Sequence, residues 1–258
     1  MVYTAHDFPF HAQLSDRRRR LYIRLEWLLA KLCHVITTDS PDGRNQGVTY
    51  GIAQARKFVV IPVGVDTTHF DRIHLNGSGR REYDAHIQVI GTVARLVPDK
   101  GIDVFLRVLA VLKRGTIPMR GLIVGDGPLR ASLQRLAADL GLATLVQFVG
   151  EQEDVRPWLG QMDVFALPTK REGLSVAVME AMSMQLPVVV SDIPSFRDLV
   201  QHNQTGMVAR AHEWTSMIGT LLHSRERRIT MGLAARAHVQ KYYERSAMNR
   251  AYERVLVG

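Results

Sequence analysis

Two glutamates eight positions apart, Glu172 and Glu180, frame the stretch EGLSVAVMEAM over residues 172–182. A glycine follows the first, and a helix-forming run leads to the second. A helix opening near Ser175 would present the free backbone N–H groups of Ser175 and Val176 at its N-terminus, a setting suited to phosphate. Glu180 lies four residues beyond Val176, one turn along the same face. Its carboxylate can there accept two hydroxyl hydrogen bonds of the kind a ribose offers. Glu172, in the loop ahead of the helix, is placed to accept from a different polyhydroxyl group. Two ordinary surface glutamates would share this spacing, so the pair alone does not decide. A second segment, GTVARLVPDKG over 91–101, ends a strand at Val93 and carries Arg95 and Lys100, with Pro98 and Asp99 leading into a helix. Two fixed cations at the carboxyl edge of a parallel sheet suit a pyrophosphate. A solvated basic loop reads the same way by itself; the shared sheet edge with the loop before Glu180 shifts the weight towards function.

Other motifs carry less. GDGPLR, over 125–130, lacks the third glycine of a dinucleotide fingerprint, Arg130 standing in its place. It reads as a tight strand-to-helix turn with Pro128 near the first helical position. His6, in TAHDF, closes a short strand, and a lone histidine is more often structural than catalytic. The 10 His show no metal-ligand spacing, Cys33 has no cysteine partner, and no GxSxG nucleophile motif is present.

These residues need a scaffold, and the pattern supplies one. Short apolar runs at 87–93, 121–125, 145–150, 163–168 and 187–192 alternate with helical periodicity over 101–114 and 129–140. Such alternation predicts an α/β fold with a doubly wound parallel sheet covered on both faces, a sixth strand falling at Met207–Ala209. From about Glu213 onward only helices are expected. The first part differs: a strand VYTA, a long amphipathic segment from Ser15 to Lys31, and two short strands, His34–Thr38 and Phe58–Pro62. That is too little to close a covered sheet. The expected organisation is residues 1–70 as the remnant of an N-terminal domain whose beginning is absent, 71–86 as a linker, 87–240 as the complete Rossmann-like domain, and 241–258 as a helix packing back towards the N-terminal part.

Composition sets outer limits. The 258 residues are 46% hydrophobic and 22% charged, which is globular and excludes a disordered or collagenous chain. Lys and Arg total 33 against 25 acids, a formal +8 that favours anionic partners. The single Cys33 excludes an internal disulfide, and no apolar run approaches a spanning helix. The first residues do not read as a signal peptide. A cytoplasmic station is expected.

Taken in order, VARLVPDKG, VGDGPLR, FVGEQEDV, DVFALPTKREGLSVAVMEAM, LPVVVSDIPSFRDLV and NQTG resemble glycosyltransferase family 4, retaining enzymes of the GT-B fold that use nucleotide-activated sugars. The likeness runs over about 87–258, a whole donor-binding domain. TAHDFPF and IPVGVDTTHF are similar to the end of the acceptor domain in capsule, exopolysaccharide and lipopolysaccharide glycosyltransferases. The resemblance implies that Arg95 and Lys100 hold the donor diphosphate, that Glu180 binds the ribose, and that Glu172 holds the donor sugar and steadies its oxocarbenium character. It implies that the backbone of Ser175 and Val176 meets the distal phosphate, that Gly173 and Leu174 belong to the donor-binding set, that the backbone near Val149 and Gly150 frames the base, and that His6 reaches the donor sugar. It implies no metal and no cofactor beyond a nucleotide-sugar, read as a UDP-sugar, with a glycan or lipid-linked acceptor. Ser175 departs from the Gly or Pro of many members, and Val63 from a common Asn.

SDRRRRLYIRLEWLLAKL, Ser15 to Leu32, sets Leu21, Leu25, Leu28, Leu29 and Leu32 on one face, with Arg17 to Arg20, Arg24 and Lys31 around it and Trp27 beside it. Such a helix can lie on an anionic membrane, peripheral at the inner face of the plasma membrane, though an ordinary domain helix has the same pattern. No aromatic-studded basic surface points to nucleic acid. The expected function is retaining sugar transfer in bacterial surface polysaccharide assembly. The rivals are a non-catalytic donor-binding module working beside a separate acceptor-domain chain and, more weakly, a UDP-sugar epimerase.

Overall fold

The branched residues of VYTA, VITT and FVV form three parallel strands, β1 (Val2–Ala5), β2 (Val35–Thr38) and β3 (Phe58–Val60), in the order β1-β2-β3. A computed structural model describes residues 1–6, 8, 15–71 and 86–257. The linker expected at 71–86 therefore lies almost wholly outside the described residues. The chain divides into two units, Met1–Gly64 with Tyr243–Gly258, and Val65–Tyr242.

In the first unit, α1 (Asp16–Leu32) joins β1 to β2, and α2 (Pro41–Thr49) follows. Ala30, Ile36, Ile52, Phe58 and Phe8 make a small core. α1 meets that core through Ala30 and Ile23, and Glu26, buried with them, accepts a hydrogen bond of 2.7 Å from the Tyr3 hydroxyl. Burial, reinforced by Glu26, pushes the Tyr3 phenol well up. The leucine stripe points the other way: Leu21, Leu25, Leu28 and Leu32 are 56%, 46%, 51% and 69% exposed, against 1% for Ala30. Lys31 lies over the Trp27 ring at 3.6 Å. α2 forms although its PDGRNQGVT is poor in helix formers. Ser40 starts it, Oγ accepting from Gly43 N–H at 3.1 Å, with Pro41 first in the helix. The last helix, α10 (Arg245–Val257), belongs to this unit, Gly64 N–H reaching Met248 Sδ at 3.2 Å.

The second unit is built on β4 (Gln88–Val93), β5 (Met119–Val124), β6 (Val146–Gly150), β7 (Val164–Leu167), β8 (Val188–Ser191) and β9 (Gly206–Ala209). All pair in parallel, in the order β6-β5-β4-β7-β8-β9. The all-valine run Val188–Val190 is fully buried, as a strand covered on both faces requires. The crossovers are α3 (Ile102–Leu112), α4 (Arg130–Asp139), the short α5 (Arg156–Leu159), α6 (Val176–Ser183) and α7 (Pro194–Leu199), with α8 (Trp214–His223) and α9 (Arg225–Tyr242) closing the unit. α3 packs beside α4 and α8, and α6 against α9. α3 buries Ile102, Phe105, Leu106 and Leu109 in the main core. Arg236, on α9, ties the start of the unit down: its guanidinium donates to the Thr67, Phe70 and Ser183 carbonyls and pairs with Asp71 at 2.8 Å.

Two local expectations are corrected. Pro98 and Asp99 do not enter α3 but form, with Lys100, a separate 3-10 turn, because Gly101 follows in the left-handed region at φ 66°. A Cβ there would sit 2.0 Å from the Pro168 carbonyl oxygen. Pro128 is not the first residue of α4, which starts at Arg130. It occupies the second position of a turn closed by Arg130 N–H to the Gly127 carbonyl at 3.0 Å, Leu129 having φ −88° and ψ 0° as a type I turn demands.

Candidate functional site

β4 and β7 are sheet neighbours although β5 and β6 lie between them in sequence, so the strand order reverses there. A doubly wound sheet opens a crevice at such a point, outside the carboxyl ends of its strands. A cavity of about 520 Å³ fills it, walled by 93–95 after β4, 124–126 after β5, Leu167 of β7, residues 174–177 at the start of α6, and by Lys100, Glu151, Gln152, Val155, Glu172 and Glu180. Of the expected site residues, Arg95, Lys100, Glu172, Leu174, Ser175, Val176 and Glu180 thus meet in one hollow. Gly173, Val149 and Gly150 are not part of its wall. The Gly150 carbonyl is occupied by Gly125 N–H at 2.8 Å, and the next two residues, Glu151 and Gln152, face the cavity instead. His6 lies in the first unit, its Nδ1 3.0 Å from Asp39 Oδ2 and its side chain 68% exposed.

α6 begins where EGLSV predicts. Ser175 is its N-cap in extended conformation, without a capping bond from its own side chain. Among the described residues, the N–H groups of Val176 and Ala177 have no protein acceptor, and both residues line the cavity. Glu180, one turn on, is half-buried; its carboxylate accepts no hydrogen bond among the described residues. Burial, aided by the charge of Asp154, pushes its pKa up to about 7. Opposite stands the exposed Arg95, also without an ion pair among the described residues. Gly127 N–H, with Arg130, holds the Asp126 carboxyl below its usual range.

Lys100 and Glu172 form an ion pair, both side chains largely buried at 17% and 16% exposure. Their loops are fastened together. The Asp99 carbonyl accepts from Lys170 N–H at 2.7 Å and from Thr169 Oγ1 at 2.8 Å, and Ser195 Oγ donates to the Glu172 carbonyl at 2.9 Å. The arrangement offers a cation pair and helix N–H groups to an anion, beside two carboxylates able to accept from hydroxyls. Among the described residues, no three His, Cys, Asp or Glu side chains cluster as metal ligands would.

A family model for group 1 glycosyl transferases matches residues 87–224. The chain is 31% identical over 196 residues to a GDP-mannose-dependent α-(1-6)-phosphatidylinositol monomannoside mannosyltransferase of Mycobacterium tuberculosis, covering 69% of this chain and 50% of that one. It is 32% identical over 176 residues to the amylovoran biosynthesis glycosyltransferase AmsK of Erwinia amylovora, covering 64% and 43%. The chain thus spans about half the length of the curated relatives it matches. Among solved structures, Anabaena Alr3699/HepE in complex with UDP and glucose superposes with a TM-score of 0.85 at 20% identity, covering 100% of this chain and 71% of that one. WaaG, a glycosyltransferase involved in lipopolysaccharide biosynthesis, superposes at 0.79 and 18% identity, over 100% and 75%. At these identities the structural likeness speaks for the fold.

Proposed function

Because the chain belongs to the group 1 glycosyl transferases and its parallel sheet is of the GT-B type, we propose that it binds a nucleotide-sugar in the switch-point cavity and transfers the sugar, with retention, to a glycan or lipid-linked acceptor of bacterial surface polysaccharide. The observation that carries this reading is the convergence of Arg95, Lys100, Glu172, Glu180 and the open start of α6 on one hollow. Arg95 and Lys100 neutralise the diphosphate and the charge that grows on it as the glycosidic bond stretches. The N–H groups of Val176 and Ala177 bind its distal oxygens. Glu180 accepts from the ribose hydroxyls, whose donors favour its ionised form. Glu172 accepts from a sugar hydroxyl and steadies positive charge at the sugar carbon. Glu151 and Gln152, at the end of β6, are placed to meet the base.

The base is read as uracil, on the strength of the UDP held by the superposed HepE structures. The mannosyltransferase relative favours guanine as the second reading. A thermal-shift titration with UDP, GDP, ADP and their sugar conjugates separates the two: ligand at a hundred times its Kd adds about 2.7 kcal/mol of stability. The matching nucleotide shifts the wild type, and Glu180→Ala loses the shift. Indifference of a folded chain to every nucleotide sinks the proposal. Sugar transfer by the chain alone distinguishes an enzyme from a donor-binding module that works beside a second chain. A lipid-linked acceptor fits a peripheral station on an anionic inner membrane face. Support comes from α1, whose leucine stripe lies opposite its core contact and is flanked by Arg17, Arg24 and Lys31. Among the described residues no helix is long and apolar enough to cross a membrane.

A further inference from the structure

The ion pair between Lys100 and Glu172 joins the group assigned to the diphosphate and the group assigned to the sugar. Neither partner sits there loosely. The 3-10 turn that carries Lys100 is locked by Gly101 against the Pro168 carbonyl, and the Asp99 carbonyl is held by Thr169 and Lys170. The Glu172 backbone is held by Ser195 Oγ, and Ser195 is itself buried. Backbone movement is therefore restrained on both sides, and what is free to change is the direction of two side chains. With both side chains largely withdrawn from water, a partner removed without replacement leaves a poorly solvated charge.

We propose that this pair selects the intact donor over the spent nucleotide, an inference that rests on the donor-site reading above. An incoming diphosphate draws Lys100 away from Glu172. When the diphosphate carries a sugar, a hydroxyl of that sugar donates to the released carboxylate and replaces the lost ammonium. A bare nucleoside diphosphate brings the same phosphates but no hydroxyl, so Glu172 is left as an unpaired, half-desolvated anion facing the new negative charge. The pair thus taxes the product and spares the substrate, and it favours release of the nucleoside diphosphate once the sugar has gone. Glu172 acts here as a specificity determinant for donor against product, apart from any part it takes in the transfer step.

The test needs binding only and uses the whole chain. Kd values for UDP and UDP-glucose, and for GDP and GDP-mannose, are measured by calorimetry on wild type, Glu172→Gln and Asp99→Asn. The expected result is that Glu172→Gln binds the bare diphosphate roughly three- to tenfold tighter than wild type, the scale of a partly buried ion pair, while it binds the nucleotide-sugar no tighter. Asp99→Asn removes one negative charge beside Lys100 but leaves Glu172 in place, and should move the diphosphate Kd by less than twofold. An unchanged or weakened diphosphate affinity in Glu172→Gln overturns the proposal while the donor site stands. An equal gain in Asp99→Asn overturns it too, because net charge then suffices. If Glu172→Gln unfolds, Glu172→Ala takes its place with the same expected sign. Wild-type protein that is folded yet binds none of the four ligands fails the donor-site reading itself, an outcome distinct from both.

Discussion

α1 and α3 are both amphipathic by spacing, yet they end in opposite surroundings. α3 turns Ile102, Phe105, Leu106 and Leu109 into a core where none is more than 2% exposed. α1 turns Ile23, Glu26 and Ala30 inward and leaves its leucines at the surface. The difference lies in what surrounds them. α3 covers a six-stranded sheet with α4 and α8 on its flanks, whereas α1 rests on three strands. Period fixes which side chains share a face; the number of neighbouring elements decides what that face meets. A further helix in the same layer would touch α1 on its flank. The leucine stripe sits opposite the core contact.

The contrast can be broken or sharpened by measurement. Leu106→Ala should cost about 3 to 4 kcal/mol in urea unfolding, since a sealed site cannot collapse around the missing atoms. A cost below 1 kcal/mol would mean that α3 is no better anchored than α1. Next comes a half-buried carboxylate of the cavity that has no partner among the described residues. Glu180 titrates near 7 when folded and at 4.5 when not. The unfolded chain therefore loses this proton first as pH rises. Stability should fall between pH 4.5 and 7, by up to about 3 kcal/mol. Glu180→Gln should flatten that limb, and an unchanged pH profile would refute the assignment. In the thinner unit, Ser40→Ala removes the cap of α2 and should cost about 1 kcal/mol by thermal unfolding. Smallest in stability is Leu25→Ser with Leu28→Ser, expected within about 0.5 kcal/mol of wild type. The same pair should abolish co-sedimentation with phosphatidylglycerol vesicles while leaving neutral vesicles unaffected; undiminished binding would remove the leucine stripe from the membrane reading.

Much of the six-stranded unit is legible in the sequence, because a parallel sheet buried on both faces writes its strands as apolar runs such as PVVVSD and its helices as regular leucine spacing. The start of α6 at Ser175 is legible for a similar local reason. Other features depend on distant partners. α2 contains two glycines and looks like a loop, but Gly47 is required by the Phe58 ring, which would lie 2.5 Å from any Cβ placed there. Glu151 and Gln152 line the cavity just beyond β6, whose register against β5 shifts at Ile123 and Val124, and no local pattern announces either feature. Lys100 and Glu172 are separately suggestive in sequence, yet their pairing across 72 positions exists only in the fold. Pro128 misleads because one proline suits both the first turn of a helix and the second place of a turn.

Gly101 carries a consequence for inheritance as well as for geometry. Every missense change at a glycine codon adds a Cβ, and here that atom would fall 2.0 Å from the Pro168 oxygen whatever the new side chain. No conservative replacement exists at this position, unlike at Lys100 beside it, where arginine keeps the charge. In a saturation library selected for a folded chain, position 101 should therefore return glycine alone.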